Sequence, residues 1–362
     1  MKTGAKYESI AEELKGDILA GKYEGREHFP SEEALVRRFG ASRPTIERAL
    51  RELKRAGLLE SRRGSGSYLT FAARNSTGAI GVIAPDYRKI EFFTKLCDKI
   101  ADCAREEGYS VFLGDVSAPD AADRGEWAVA LAETYAEKRT AGVLLEPVDL
   151  IPESHAVTKK VLETLAAKRI PVILLDRDYL AFPERSDYDL VVIDNIQAGY
   201  RVARHLVDAG SRSLRFLTHA DYANAIRGRI QGVAQAAIDA GLKWKREYVI
   251  ETDPSNIAFF ERLMRGRAAP DAFACRNDPT AALLMQTLSK IGIRVPEDVR
   301  VAGFYDSSVA RLLTPPLTTI HQPVEALASI AVSSLIQRMR IPSLAPRTIL
   351  LDAPLVRRAS TS

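Results

Sequence analysis

Apolar residues recur at helical spacing through the first sixty positions. From Tyr7 to Ala20 a stripe of Ile10, Ala11, Leu14 and Ile18 predicts a support helix, with Gly21 as its stop. Ser31, following Pro30, is placed to cap a second helix that buries Leu35 and Phe39 and ends at Gly40. Gly40-Ala41-Ser42 then reads as a turn. From Ser42, a good capping residue, a third helix buries Ile46, Ala49, Leu50 and Leu53 as far as Gly57 and leaves Arg43, Thr45, Glu47, Arg48 and Arg51 outside. Leu58-Leu59-Glu60-Ser61 and Ser67-Tyr68-Leu69-Thr70 form a hairpin around Arg62-Arg63-Gly64-Ser65-Gly66. Helix, turn, helix and basic hairpin in that order describe a winged helix-turn-helix, a module that reads DNA.

Past Ala72 the pattern changes. Residues 72–78, AARNSTG, are polar and aperiodic and predict a linker between a domain at 1–71 and a second at 79–362. In the second, β-rich apolar runs alternate with helical stretches: Ala79–Ala84, Ser110–Leu113, Gly142–Leu145, Val172–Leu175, Leu190–Ile193, Leu214–Leu217, Ala272–Ala274 and Val299–Gly303. Runs apolar on both faces imply parallel sheets covered by helices on both sides, hence a doubly wound α/β fold. Such sheets hold ligands beyond the C-terminal strand ends. The polar or aromatic residues there are Asp86, Phe92, Phe93, Glu146, Asp176, Asp194, Asn195, Arg276, Asn277, Asp278, Tyr305 and Asp306.

Composition changes this picture little: 46% hydrophobic, 27% charged and 7% aromatic residues are ordinary for a folded chain of 362 residues. Charge placement says more than the net +4. Residues 36–63 carry nine basic against three acidic side chains, where the third helix and the hairpin tip would meet a polyanion. Three cysteines, an odd number without metal or redox spacing, suit a reducing cytoplasm. The charged N-terminus and the absence of a long apolar run predict neither export nor membrane insertion.

The third helix begins with free backbone N–H groups and partial positive charge, and Arg43 can fork onto guanine or phosphate oxygens. The glycine-rich tip admits close approach to a DNA backbone. Over residues 5–70 the chain resembles the GntR family of bacterial regulators, through Pro30-Ser31-Glu32, Ser42-Arg43-Pro44-Thr45, Ala49-Leu50-Arg51-Glu52-Leu53 and Gly64-Ser65-Gly66. By that resemblance the DNA-contacting set is Ser31, Glu33, Ser42, Arg43, Pro44, Thr45, Arg48, Arg62, Arg63, Gly64, Ser65 and Gly66. Family members commonly carry a second arginine where this chain has Glu47, beside Arg48.

Residues 79–358 resemble the effector-binding region of the LacI family, which shares a two-lobed fold with periplasmic sugar-binding proteins. The resemblance rests on IGVIAPD at Ile80, Phe92-Phe93, AGVLLEP at Ala141, IPVILLDR at Ile170, Asp194-Asn195 with Gly199, Arg229-Ile230-Gln231-Gly232, Asn277-Asp278 with Ala281, Val295-Pro296-Glu297-Asp298-Val299, and PPLTTIHQP at Pro315. A GntR-type reader on a LacI-type sensor is the arrangement of arabinose-repressor-like regulators. It implies three chain passages between lobes, near 208–214, 319–322 and 340–343. It also implies an effector held by Phe93, Glu146, Arg229, Asn277, Tyr305 and Asp306. An aromatic plate with planar polar groups suits a carbohydrate, whose hydroxyls all need partners once buried. Where the family usually places an aspartate after Gly303-Phe304, this chain has Tyr305 and then Asp306, and a phenol cannot accept two hydroxyls as a carboxylate does.

The expected partners are therefore double-stranded DNA with a palindromic operator, a carbohydrate-like effector and a second copy of the chain. No cofactor and no metal are expected. An enzyme on the same fold would need a phosphate loop, a dinucleotide turn or a nucleophile elbow, and none stands in the sequence. A transport receptor would share the sheet pattern but not the basic wing.

Overall fold

A computed structural model of the chain describes residues 3–19, 22–23, 29–62, 66–69, 78–84, 90–115, 121–149, 153–219 and 224–362. Its first unit is α1 (Thr3–Leu19), α2 (Glu32–Phe39), α3 (Arg43–Arg55) and an antiparallel hairpin of β1 (Leu59–Arg62) and β2 (Gly66–Leu69) in which Leu59 faces Leu69. Leu14, Ile18, Leu35, Ile46 and Leu53, the predicted apolar stripes, close the core at 1% exposure or less. Ser31 Oγ accepts from the Ala34 N–H at 3.2 Å, and Gly40 takes the left-handed conformation (φ +53°) that ends α2. Ser42 departs from expectation. It has a cap's extended backbone, but its hydroxyl lies 2.8 Å from Thr45 Oγ1, because Pro44 offers no N–H and the Thr45 N–H is taken by the Ser42 carbonyl.

The remainder forms two lobes, each on a six-stranded sheet. The first lobe orders its strands β13-β7-β6-β5-β3-β4, all parallel, from β3 (Ala79–Ala84), β4 (Ser110–Asp115), β5 (Gly142–Leu145), β6 (Val172–Leu175), β7 (Asp189–Ile193) and β13 (Thr348–Leu351). The second orders them β14-β12-β11-β10-β8-β9, from β8 (Leu214–Thr218), β9 (Val249–Glu251), β10 (Ala272–Cys275), β11 (Arg300–Tyr305), β12 (Thr318–His321) and β14 (Leu355–Val356), with only β14 antiparallel. In both lobes the second strand lies on one side of the first and the later strands on the other. Each sheet therefore reverses direction at its first strand, which opens a crevice at the C-terminal strand ends.

The passages between lobes do not all lie where the resemblance put them. After β7 the chain enters α7 (Asn195–Asp208), which packs on α8 (Asn224–Asp239) in the second lobe, so the first passage is at Asp194, not at 208–214. The second joins β12 to α12 (Val324–Arg340) through Gln322-Pro323, beside the expected stretch. α12 packs on first-lobe α4 (Glu91–Glu106) and on β5 to β7, and β13 belongs to the same lobe, so 340–343 stays within it and the third passage is Asp352-Ala353-Pro354. The reason is packing. The α7–α8 crossing is so close that a Cβ on Gly199 would stand 2.1 Å from the Arg229 carbonyl oxygen, and one on Gly232 1.9 Å from that of Ile196. Backbone bonds lace the passages together: Asp194 N–H to the Leu351 carbonyl at 3.0 Å and His321 N–H to that of Pro354 at 2.9 Å.

The head touches the first lobe at the end of α12. Arg340 Nε donates to the Ala56 carbonyl at 2.8 Å, and a Cβ on Gly57 (φ +68°) would fall 2.1 Å from Arg340 Cγ.

Candidate functional site: the cleft between the lobes

Both sheets aim their C-terminal strand ends into one cleft. From the first lobe come Phe92 at the start of α4, Glu146 after β5, and Asp176 with Arg177 after β6. The second lobe supplies Arg229 on α8, Arg276 and Asn277 after β10, and Tyr305 at the end of β11. Gln322 enters from the second passage. Asp176, Tyr305 and Asp306 hold positive φ (66°, 115° and 53°), conformations that cost energy for side-chain-bearing residues and collect at ligand sites.

The lobes are closed on one another. The Phe92 and Tyr305 rings stack across the cleft with centroids 5.5 Å apart and planes 8° apart. At its rim Glu91 accepts from the Ser308 N–H at 2.9 Å and from the Ser308 hydroxyl at 2.6 Å. Asn224 Nδ2 donates to the carbonyls of Asp178, at 3.3 Å, and Leu180. A groove of about 360 Å³ remains, lined by Pro147, Asp149, Arg177, Asp178 and Asn224 among others. A hollow of about 460 Å³ at the other end of β5 and β6, lined by Thr140, Lys168 and Pro171, contains none of these residues.

Within the cleft the charges divide by lobe. Arg177 donates to Glu146 at 2.7 Å, to Asp176 at 2.8 Å and to the Pro147 carbonyl at 3.0 Å. Burial pushes the Glu146 carboxyl well above the usual carboxylate range, against the pull of Arg177, and its Oε2 is sealed from solvent without a partner. Arg229, 1% exposed, donates to Asn195 Oδ1 at 2.9 Å and to the Arg276 carbonyl at 2.6 Å, and its guanidinium lies 4.7 Å from the Phe304 centroid and 5.2 Å from that of Tyr305. Arg276 is half-buried with an unpartnered Nε, and burial, with Arg229 and Arg177 nearby, lowers its pKa. Gln322 is fully buried, and neither its amide nitrogen nor its oxygen has a partner among the described residues. With the Arg177 Nε, four side chains around the cleft hold sealed polar atoms without partners among the described residues, an arrangement that suits a polar guest.

Of the effector residues expected from sequence, Glu146, Arg229 and Tyr305 meet here. Asn277 caps α10 (Asp278–Lys290), its Oδ1 accepting from the Thr280 N–H at 2.9 Å, which leaves its amide nitrogen without a partner among the described residues. Phe93 is 3% exposed and edge-on to Phe92, so the ring stacked against the opposite lobe is Phe92. Asp306 turns away: its carboxylate binds Arg358, lies 3.0 Å from His321 Nδ1 and 3.5 Å from Arg311. Burial alone would raise it, but the hydrogen bonds from Arg358 and His321 hold it below the usual range, and it tethers the C-terminal segment. Arg177, Arg276 and Gln322 stand one or two residues past a strand end; Arg276 was among the strand-end candidates, and Arg177 and Gln322 lie in the IPVILLDR and PPLTTIHQP segments, but none was among the effector residues the resemblance implied.

In the head, Arg43 is exposed at the start of α3 and held by Glu32 (3.1 Å) and Glu47 (3.5 Å). Arg48 lies over the Tyr7 ring at 4.1 Å. Glu33, Ser42 and Pro44 are exposed, and Thr45 is partly so. The backbones of Arg62 and Gly66 end β1 and open β2, whereas Arg63, Gly64 and Ser65 lie outside the described residues.

Residues 6–69 match the bacterial regulatory proteins of the gntR family, and residues 203–361 match the periplasmic binding protein-like domain. The chain is a GntR-type DNA-binding head on a periplasmic-binding-protein-like effector domain. Across nearly its whole length this GntR-headed chain is similar to the arabinose metabolism transcriptional repressor of Geobacillus stearothermophilus, 26% identical over 347 residues, 93% of this chain and 92% of that one. It is also 27% identical over 288 residues to the transcriptional regulator DegA of Bacillus subtilis, covering 79% and 81%. Its fold is that of a transcriptional regulator CelR–cellobiose complex, with TM-score 0.67 and 22% identity over 92% of this chain and 100% of that one. It is also that of CcpA of Lactococcus lactis, with TM-score 0.66 and 22% identity over 78% and 99%. All four relatives are named as regulators, none as an enzyme. No helix among the described residues is long and apolar enough to cross a membrane.

Proposed function

We propose that this DNA-binding regulator works in the cytoplasm as a homodimer on a palindromic operator and that a small polyhydroxylated effector, held between its lobes, sets its affinity for DNA. In this reading residues 1–71 are the reader, 72–78 the connection and 79–362 the sensor and dimerisation unit. The observation that carries the effector site is the set of sealed polar atoms on Glu146, Arg177, Arg276 and Gln322, without partners among the described residues, around a stacked aromatic pair. Sugars present apolar C–H faces and hydroxyls together, and a buried polar group without a partner costs about 1–3 kcal/mol, so such a site favours a guest that satisfies it. Phe92, Glu146, Arg229, Asn277 and Tyr305 are the residues we assign to the effector, with Phe93 behind Phe92.

Arg43, Thr45 and the wing from Arg62 to Gly66 are assigned to DNA, with Ser31, Glu33, Ser42, Pro44 and Arg48 flanking them. One recognition helix reads few bases, so a two-fold pair on a palindrome is the economical arrangement. Relatives named as repressors support repression as the direction of control. For release by effector, the effector must bind the DNA-free conformer more tightly than the DNA-bound one. A gel shift with the DNA upstream of the protein's own gene, repeated with a sugar panel, tests both halves. Retardation reversed by one sugar is the expected result, and indifference to every DNA fragment overturns the proposal.

A further inference from the structure

The two lobes bring very different charge balances to the cleft. On the first-lobe side Arg177 is matched by Glu146 and Asp176 at hydrogen-bond distance, with Asp149 also close enough to act on it. On the second-lobe side stand two guanidinium groups, Arg229 and Arg276, and neither has a carboxylate oxygen within 4.0 Å among the described residues. Among the described residues Arg229 is served by a neutral amide, a carbonyl and two aromatic faces. Tyr305, whose ring lies under the Arg229 guanidinium, supplies a phenol where related effector domains usually place an aspartate, so that position brings these arginines no carboxylate.

Burying a guanidinium is tolerable when an anion meets it and costly when none does. Arg276 is half-buried, and its Nε is withdrawn from water without a partner among the described residues. Accepting groups are already plentiful opposite, on Glu146 and Asp176, and suit hydroxyl donors, not a second cation. A planar fork with free N–H groups is the ordinary partner of a carboxylate or phosphate. Resting on the reading of the cleft as the effector site, we propose that the effector is a polyol bearing one oxyanion, a sugar acid or a sugar phosphate, and that Arg276 is the residue that selects its charge.

Calorimetry on the full chain tests this with D-galacturonate against D-galactose and D-glucose 6-phosphate against D-glucose. The expected result is one acid binding at least about 30-fold tighter than its neutral parent, as loss of a buried charge-assisted pair costs, with that preference abolished in Arg276→Gln. Which acid wins separates carboxylate from phosphate. A neutral sugar as tight as its acid overturns the inference and leaves the polyol reading standing. In parallel, inorganic phosphate at matched ionic strength should raise the thermal midpoint of the parent chain but not of Arg276→Gln. That rise without any sugar binding keeps the anion site and overturns the polyol reading. Silence from all four compounds and from phosphate overturns both. Without ligand, Arg276→Gln should melt no lower than the parent, because it removes a half-buried charge that no carboxylate among the described residues meets. A lower midpoint would make the guanidinium a support of the fold and sink the proposal.

Discussion

Phe92 and Tyr305 belong to opposite lobes, and their rings lie 5.5 Å apart at 8°. The stack is a direct contact between the two halves of the clamp. Offset aromatic pairs contribute roughly 0.5–1.5 kcal/mol beyond the area they bury, so Phe92→Leu, Tyr305→Leu and the double variant should show a coupling of that size in denaturant unfolding. Strict additivity would mean that the rings are merely adjacent.

The rim contact between Glu91 and Ser308 predicts an acid limit to closure. Burial works against the Glu91 charge, but hydrogen bonds from Lys95 and Ser308 outweigh it and lower its pKa from 4.5 to about 2. A depressed carboxyl pKa contributes stability that is complete above 4.5 and lost as pH falls toward 2. Small-angle scattering on the parent chain should show the lobes separating across that window. In Glu91→Gln the same pH change should leave the scattering curve nearly unaltered.

At the reader, Arg43→Ala should weaken operator binding by about 1–3 kcal/mol if the fork meets a base edge. Glu47→Ala should act in the opposite direction, since Glu47 lies 3.5 Å from Arg43 Nε and brings negative charge to a surface meant for phosphate. Fluorescence anisotropy at fixed salt measures both, and equal affinities for all three proteins would remove Arg43 and Glu47 from the interface.

Gly199→Ala offers a test of the α7–α8 crossing. The added methyl would collide with backbone and not with a movable side chain, at 2.1 Å from the Arg229 carbonyl oxygen. Overpacking of this kind costs about 1–3 kcal/mol or more, and because Arg229 rides on the displaced turn, effector affinity should fall with stability. A thermal midpoint equal to the parent's would show that the helices can part without cost.

Much of this was legible in the chain before any coordinates. Helix stripes such as Ile46, Ala49, Leu50 and Leu53 report burial directly, and the apolar runs of the parallel strands lie within a residue or two of the observed ones. The short strands at Val249, Thr318, Thr348 and Leu355 carried weaker signals, being edge or late members of their sheets. The lobe passages were misplaced because sequence order does not reveal that α7 joins the lobe that follows it, a matter of the Gly199 and Gly232 contact. Asp306 was expected at the effector because it stands one residue past the position where the family usually has an aspartate. Positive φ at Tyr305 and Asp306 turns the chain so that successive side chains serve different partners. Arg276 stood among the strand-end candidates and Gln322 within PPLTTIHQP, but their unmet polar atoms become visible only once neighbours are placed.

The grip of Arg340 on the Ala56 carbonyl has a consequence for signalling. It ties the reader to the lobe that carries α12, so any opening of the cleft that keeps this bond would move the reader with that lobe and swing the other half. A single chain therefore changes shape at the end remote from its DNA. Occupancy would have to reach the recognition helix through whatever abuts the swinging half.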